Sequence, residues 1–200
     1  MKTKIHKGVY FVEFGINNHL EVDLFALLLK GDELLDEGDF VYYNSKNRTE
    51  PFNISLFGNK QTWMARTEPM SSDGSIRLEG DYSGDDNYEY LSDEYEILSE
   101  RCYIDLSKIN PKYDKIKIGF ALFGQLFEKN TCINAYLKSG DNEFINAHYT
   151  IQVDNINHSA IEGLVMTRLD DNSWEIEMSP RTFPNGMRGI IDYLIDKIDM

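Results

Sequence analysis

The chain has 200 residues, 42% of them hydrophobic and 12% aromatic, which suits a single domain with a substantial apolar core. Its formal net charge is −14, from 34 acidic and 20 basic side chains, so it repels phosphate backbones and the anionic inner face of a membrane. Nucleic acid and lipid are therefore poor partners, whereas cations and basic proteins are suitable ones.

Short apolar segments separated by turn residues predict an all-β domain, because this pattern is typical of a sandwich or barrel. The predicted strands are, in chain order, Val9–Phe14, Val22–Lys30, Phe40–Asn44, Phe52–Phe57, Cys102–Leu106, Ile116–Phe123, Cys132–Lys138, Phe144–Ile151, Ile161–Leu169 and Trp174–Met178. Lys115–Leu122 alternates most regularly, with its large apolar side chains on one face. The turn sequences Ser139–Asn142 and Asp170–Ser173 predict hairpins.

One helix is predicted at the end of the chain. Asn185 is a suitable N-cap, and apolar residues from Met187 to Ile198 recur at helical spacing on one side. We expect this helix to lie across the sandwich and cover an apolar surface. Residues 1–200 are predicted to form one domain, in which about 45–79, with Pro51 and Pro69, is an irregular insertion.

The targeting signals of secreted and membrane proteins are not evident in the sequence. The basic start, Met1–Lys7, is followed by an apolar run that is short and contains Glu13, unlike a signal peptide. No stretch approaches the roughly 20 apolar residues of a membrane helix. We therefore expect a cytoplasmic protein that does not insert into the membrane.

An unusually acidic stretch lies between Arg77 and Arg101, and it holds no basic residue. Its nine acids are Glu79, Asp81, Asp85, Asp86, Glu89, Asp93, Glu94, Glu96 and Glu100. Crowded carboxylates repel one another by about 1 kcal/mol per pair at 4 Å even in water. Such a stretch needs either full solvation or a cation, and its many hard oxygen ligands suit Ca²⁺. Zinc is disfavoured, because no His or Cys lies nearby.

The acidic stretch has two other possible interpretations. An EF-hand loop that starts at Asp85 is excluded, because Tyr90 occupies its obligatory glycine position and the flanking sequences do not predict helices. A mobile, solvated surface loop is the simpler alternative. The two glycines, Gly80 and Gly84, and four interleaved tyrosines are unusual for a purely solvating segment, and glycines let backbone carbonyls turn inward.

Six motifs in order make the sequence similar to the TerD family. Leu20–Leu29 resembles the family's "DFDLDASAFLL" strand, and Asp39–Asn44 resembles its "DFVFYN". Gly80–Gly84, followed by Ser92–Glu94, resembles its "GDNLTG…GDDE" calcium loop. The remaining similar segments are Asp105–Ile109 ("DLSKV"), Ile133–Tyr136 ("RNAFIRI") and a C-terminal part from Ser159 through Asp171–Glu175 ("NGEWKF") to Gly189–Tyr193.

The resemblance implies a sandwich of two antiparallel sheets with calcium bound in loops at one end. The ligands that it implies are Asp23, Asn44, Asp81, Asp93 and Glu94, and the candidate set also includes three neighbouring residues of the acidic loop, Gly84, Asp85 and Asp86. This chain departs from the family pattern at Glu21, at Phe25, which replaces a serine, and by an insertion between Asn44 and Gly80. As partners, the resemblance implies related stress-response proteins.

No enzyme is predicted. Motifs for a nucleophile elbow, a P-loop, a dinucleotide site or an HExxH zinc site do not occur in the sequence. The four histidines are scattered, and His148 is interpreted as structural because it lies in an alternating strand. Cys102 and Cys132 each lie in an apolar strand and are predicted to be small core residues.

The sequence therefore supports two main hypotheses. The first is a calcium-binding, non-enzymatic stress-response protein in which the ion organises the acidic loop. The second is a calcium-independent module whose acidic surface docks a basic partner. A carbohydrate-binding sandwich is a weaker third alternative, in which Trp63 or Trp174 would report sugar binding through its fluorescence.

Overall fold

The computed structural model describes residues 2–16, 22–56, 62–79, 97–129, 131–140, 144–153 and 156–198. These ranges contain fourteen strands, a short 3-10 helix (Glu37–Asp39) and one α-helix. In chain order they are β1 Lys2–Ile5, β2 Val9–Ile16, β3 Val22–Lys30, β4 Glu33–Leu34, β5 Phe40–Tyr42, β6 Phe52–Leu56, β7 Thr62–Arg66, β8 Ile76–Glu79, β9 Ile97–Asp105, β10 Lys115–Leu122, β11 Thr131–Ser139, β12 Phe144–Val153, β13 Ala160–Arg168, β14 Trp174–Phe183 and α1 Gly186–Ile198.

Two antiparallel sheets form a sandwich, which confirms the predicted fold class. One sheet has seven strands in the order β1-β14-β13-β10-β3-β4, with β5 also paired to β3. The second has five strands in the order β12-β11-β2-β9-β8. A separate hairpin joins β6 to β7. All ten predicted strands are present, although several begin or end at a different residue.

The main core lies between the two sheets. The regular alternation of β10 places Ile116, Ile118 and Phe120 in this core with no exposed surface, as the sequence predicted. Trp174, at the start of β14, is 1% exposed there. Burial of these side chains is the main stabilising contribution, at about 1.5–3 kcal/mol for each large one.

A second core lies on the other face of the seven-stranded sheet, beneath α1. Alternate residues of β3 enter different cores: Leu24, Ala26 and Leu28 face the five-stranded sheet, and Phe25, Leu27 and Leu29 belong to the cluster of Ile190 and Leu194. The helix therefore covers an apolar surface, as predicted. A strand that is buried on both faces explains why the apolar run of β3 is nearly continuous.

The second core gives Phe25 a structural role. This residue is fully buried and packs edge-on against Phe40, with ring centroids 6.2 Å apart. Phe25 thus contributes a large aromatic side chain to the core beneath α1. No helix among the described residues is long and apolar enough to cross a membrane.

Several features differ from the sequence-based expectations. The strands β1, β4, β7 and β8 were not predicted, and β6, β7 and β8 all lie in the range 45–79 that we expected to be irregular. Asn185 has φ +62°, whereas an N-cap residue is normally extended. The Gly186 N–H donates instead to Ser159 Oγ at 2.6 Å, so the side chain of the residue just before β13 holds the beginning of the helix.

The two cysteines have different environments. Cys102 is fully buried in the main core, as predicted, and burial raises the pKa of its thiol well above the usual value. Cys132 is only partly buried, so its prediction as a core residue was wrong. The reason is the alternation of β11, which directs Ile133, Ala135 and Leu137 into the core and Cys132 to the outer face.

The turn before β8 is organised by the carboxylate of Asp73. Its Oδ1 accepts hydrogen bonds from Ser75 N, Ser75 Oγ and Ser71 Oγ, and its Oδ2 accepts one from Asn110 N at 3.0 Å. Burial alone would raise the pKa of Asp73, but these hydrogen bonds outweigh it and lower the pKa below its ordinary value. The network connects the turn to the loop that precedes β10, and it sets the position of β8.

Asp73→Asn is expected to lower the free energy of unfolding at neutral pH by about 1 kcal/mol, because hydrogen bonds to a charged acceptor are lost. Since the pKa of Asp73 is lower in the folded state, its contribution is present above the unfolded value of about 4 and is lost as pH falls through the folded value. Urea unfolding of the wild type and of Asp73→Asn at pH 7, 5 and 3 measures this contribution to the free energy of unfolding. The difference between wild type and variant should shrink only below about pH 4, and a constant difference would contradict the assignment.

Candidate metal centre

Two of the predicted metal ligands, Asp23 and Asn44, lie in the part of the chain that the structure describes. The other six lie outside the described residues: Asp81, Gly84, Asp85, Asp86, Asp93 and Glu94. The geometry of the candidate centre therefore rests on the first two residues and on the strand ends that flank the acidic segment.

Asp23 is the second residue of β3, where it pairs with Ala121 of β10. Its side chain is partly exposed and lines a cavity of about 440 Å³ at the end of the seven-stranded sheet. The amides of Asn157 and Asn185 line the same cavity. These neighbours add amide oxygens to the cavity of Asp23, and the sequence pattern did not indicate them because they come from loops far along the chain.

Asn44 follows β5 and is exposed to solvent. The chain turns there, since Ser45 N–H donates to the carbonyl of Tyr42 at 2.9 Å. Asn44 lines a groove of about 830 Å³ beside α1, together with Asp36 and Glu37. Asp36 and Glu37 belong to an acid-rich run just before β5, and this run is the sequence feature that could have indicated them.

Asp23 and Asn44 thus lie on neighbouring segments but line different cavities. The register of β3 and β5 pairs Phe25 with Tyr42, and two further steps would bring Asp23 opposite Asn44. Because β5 ends at Tyr42, this pairing is not made. Tyr43, the residue before Asn44, lines the cavity of Asp23.

The described residues on either side of the acidic segment lie at this same end of the sandwich. On one side β8 ends at Glu79, and on the other β9 begins at Ile97, opposite Gly15 of β2. Only residues 17–21 separate the end of β2 from the start of β3, which carries Asp23. The sheet topology therefore brings the anchors of the acidic segment and both described candidate ligands to one end of the sandwich.

Glu79 is neutralised by the protein itself. Its Oε1 accepts from Arg77 Nη2 at 2.5 Å and its Oε2 accepts from Arg101 Nε at 2.6 Å. Burial, and then repulsion from Glu79, raise the pKa of neighbouring Glu68, with Arg77 and Arg101 acting in the opposite direction. Glu79 is therefore occupied by ion pairs next to the acidic segment. Eight of the nine acids of the segment then remain as candidate ligands of a cation.

Among the residues that the structure describes, no group of three His, Cys, Asp or Glu side chains is arranged to hold a metal ion. A centre at this end of the sandwich would thus need carboxylates from residues 80–96. Asp23 and Asn44 offer oxygen donors at accessible positions, and oxygen is the ligand type that Ca²⁺ requires. Asp23 and Asn44 are therefore chemically suited to supply part of the ligand set of a calcium site.

Two of the three histidines in the described ranges, His148 and His158, have side chains that contact other residues of the protein. His148 stacks on Tyr136 with ring centroids 4.7 Å apart, and its Nε2 lies 3.2 Å from Asn134 Oδ1. His158 Nδ1 lies 2.6 Å from Thr182 Oγ1. Trp174 is buried, so it cannot stack on a sugar. His19 lies outside the described residues.

No protein-family model and no curated protein sequence matches this chain. The structure is similar to the crystal structure of SCO6318 from Streptomyces coelicolor A3(2), a homologue of the telluride resistance protein TerD. That similarity has a TM-score of 0.56 at 13% identity, over 91% of this chain and 94% of the other. SAV2460, a protein of unknown function, is similar with a TM-score of 0.50 at 12% identity, over 88% of this chain and 91% of the other. The chain therefore has the TerD-like fold that its sequence motifs predicted.

Proposed function

We propose that this protein is a non-enzymatic, calcium-binding stress-response protein of the tellurite-resistance type. Calcium would be bound at the end of the sandwich by the acidic segment, which contributes Asp81, Gly84, Asp85, Asp86, Asp93 and Glu94, with Asp23 and Asn44 beside it. One observation carries the proposal: the end of β8 and the start of β9, which flank the acidic segment, lie at the same end of the fold as Asp23 and Asn44.

The charge of the segment supports a bound cation. Arg77 and Arg101 neutralise Glu79, but eight further carboxylates follow within a short stretch of chain. Their mutual repulsion falls when a divalent ion is seated among them. Ca²⁺ takes six to eight oxygen ligands in flexible geometry, whereas Mg²⁺ demands a near-ideal octahedron and retains waters. A ligand set of crowded carboxylates, amides and carbonyls therefore favours Ca²⁺.

Excess Ca²⁺ is expected to raise the melting temperature. An ion that binds only the folded chain stabilises it by about 2.7 kcal/mol at a hundredfold excess over Kd. For a chain of this size, that corresponds to a rise of roughly 5–10 °C. Thermal unfolding with Ca²⁺, with Mg²⁺ and with chelator measures the effect, and isothermal titration gives the number of ions bound.

Asp81→Asn and Asp93→Asn should each reduce the rise caused by Ca²⁺. The matched control is Asp192→Asn, which removes the same charge from an exposed i,i+4 pair with Arg188 on α1 and should leave the rise unchanged. Identical melting temperatures in Ca²⁺ and in chelator, with no heat of binding, would refute calcium binding.

The alternative is a calcium-independent module that docks a basic partner. It is favoured by one observation, the double arginine contact at Glu79, because this contact shows that guanidinium groups can neutralise carboxylates of this segment. Binding of a fluorescent Arg-rich peptide in chelator, weakening steeply as salt is added, would support this alternative. The sandwich fold itself is common to both functions.

A further inference from the structure

The outer strands of the two sheets differ in how their free edges are protected. A free edge presents unpaired N–H and C=O groups that can pair with another chain. Natural proteins protect such edges with short strands, charged side chains or a covering segment. Here the seven-stranded sheet ends in β1 on one side and in β4 and β5, which both pair with β3, on the other, and the five-stranded sheet ends in β12 and β8.

Three of these edges carry recognisable protection. The edge strand β1 has four residues, including Lys2 and Lys4, which form ion pairs with Glu175 and Asp171. The opposite edge consists of two short strands, β4 with two residues and β5 with three. The edge of β8 is covered by the preceding segment, since Leu78 N–H donates to the carbonyl of Pro69 at 3.0 Å and Met70 forms a bridge with Arg77.

The fourth edge, β12, has none of these features in the described residues. It is ten residues long, and Phe144–Val153 contains no Asp, Glu, Lys or Arg. One edge of β12 pairs with β11 from Phe144 to Val153 except at Asn146, and no described residue pairs with the other edge. A register shift between Leu137 and Lys138 of β11 interrupts the pairing near the start of β12. The rest of β12, Ala147–Val153, pairs with β11 without interruption.

That run is firmly anchored to the domain. Ala147, Tyr149, Ile151 and Val153 are buried in the main core, and Tyr149 Oη donates to Thr3 Oγ1 of β1 at 2.8 Å. The alternate residues His148, Thr150 and Gln152 are exposed on the outer face. The edge is therefore rigid, neutral and ready to pair without rearrangement of the core.

We propose that β12 is a homodimerisation edge, at which a second copy of this chain pairs antiparallel to the first. A two-fold axis near Thr150 would set this residue opposite its own copy, with His148 opposite Gln152. The two five-stranded sheets would then form one continuous ten-stranded sheet.

Two properties select a second copy as the partner. Antiparallel pairing of a strand with itself is self-complementary, which a two-fold symmetric contact requires. Two chains of net charge −14 repel each other over most of their surfaces, and the uncharged β12 is a place where two copies can meet without that local repulsion. A basic partner would instead seek carboxylates, which β12 lacks.

The mass of the full chain in solution tests the proposal. Light scattering coupled to size exclusion should give twice the 23.2 kDa of one chain, with or without chelator. Thr150→Lys places two like charges opposite each other across the axis and should weaken the dimer about tenfold or more. Thr150→Val, which keeps the β-branched shape without a charge, should dimerise like the wild type.

Hydrogen exchange locates the contact. The amides of 147–153 should become better protected as the protein concentration rises, and this gain should be lost in Thr150→Lys while the core amides of β10 stay protected. A wild-type chain that remains monomeric at high concentration, or a dimer that Thr150→Lys leaves intact, would overturn the proposal.

Discussion

Gly119→Ala is expected to lower the free energy of unfolding by about 3 kcal/mol. The added Cβ atom has no space in the packed core, and such overpacking forces neighbouring atoms to shift. Gly119 lies in β10 at the point where its register with β13 shifts. A Cβ atom there would stand 1.9 Å from the Ile161 carbonyl oxygen and 2.7 Å from Phe25 Cζ. The carbonyl belongs to a neighbouring strand that is buried between the two cores, so it cannot move away cheaply.

Gly163→Ala is the matched control for this prediction. Gly163 lies in the same irregular region of β13, but the nearest atom to its added Cβ is Ile151 Cδ1 at 3.1 Å, the end of a flexible side chain. We expect a change within about 1 kcal/mol, since alanine also restricts the unfolded chain. Urea unfolding followed by circular dichroism measures both variants. Equal stability of the two would contradict the close approach of β10 and β13 at Gly119.

Lys117→Met is expected to cost about 3 kcal/mol, because it leaves a buried carboxylate without its partner. Lys117 and Glu162 are 9% and 4% exposed, and Lys117 Nζ lies 3.2 Å from Glu162 Oε1. Replacing the charge with an apolar side chain of similar length preserves the packing of the stem. The loss should therefore come mainly from the uncompensated charge of Glu162.

Two further variants separate this effect from a general loss of charge. Lys115→Met removes the lysine two residues earlier, which pairs at 3.0 Å with Asp32, a half-exposed acid that Lys117 also approaches at 3.4 Å. Because this acid is solvated and keeps Lys117 as a partner, the change should cost less than about 1 kcal/mol. Adding Glu162→Gln to Lys117→Met should recover part of the stability, because the buried carboxylate is then neutral. A double variant as unstable as Lys117→Met alone would show that packing, and not charge, is responsible.

The strand pattern was predictable because it is local. The alternation of Lys115–Leu122 and the helical spacing after Asn185 gave both the elements and their buried faces. The strands that were missed, such as β1 and β8, are short and carry lysine, arginine or glutamate in alternate positions. Their pairing partners, β14 and β9, decide that they are strands, and these lie far away in the sequence.

The candidate site was predictable only in part. The motifs around Asp23 and Asn44 indicated two segments that meet at one end of a sandwich, and the register of β3 with β5 agrees with this arrangement. The motifs did not reveal that Glu79 is neutralised by Arg77 and Arg101, because the ion pairs depend on the alignment of β8 with β9. For the same reason, Asn157 and Asn185 beside Asp23 could not be foreseen.

Composition and periodicity by themselves determined the all-β class, the C-terminal helix, the strong negative charge and the acidic segment, since each is a property of neighbouring residues. Only the tertiary structure decided that β3 is buried on both faces, that Phe25 packs beneath α1, that Cys132 faces outward and that β12 ends its sheet uncharged. These features arise from contacts between distant parts of the chain, and the local pattern of side chains does not specify which strands become neighbours.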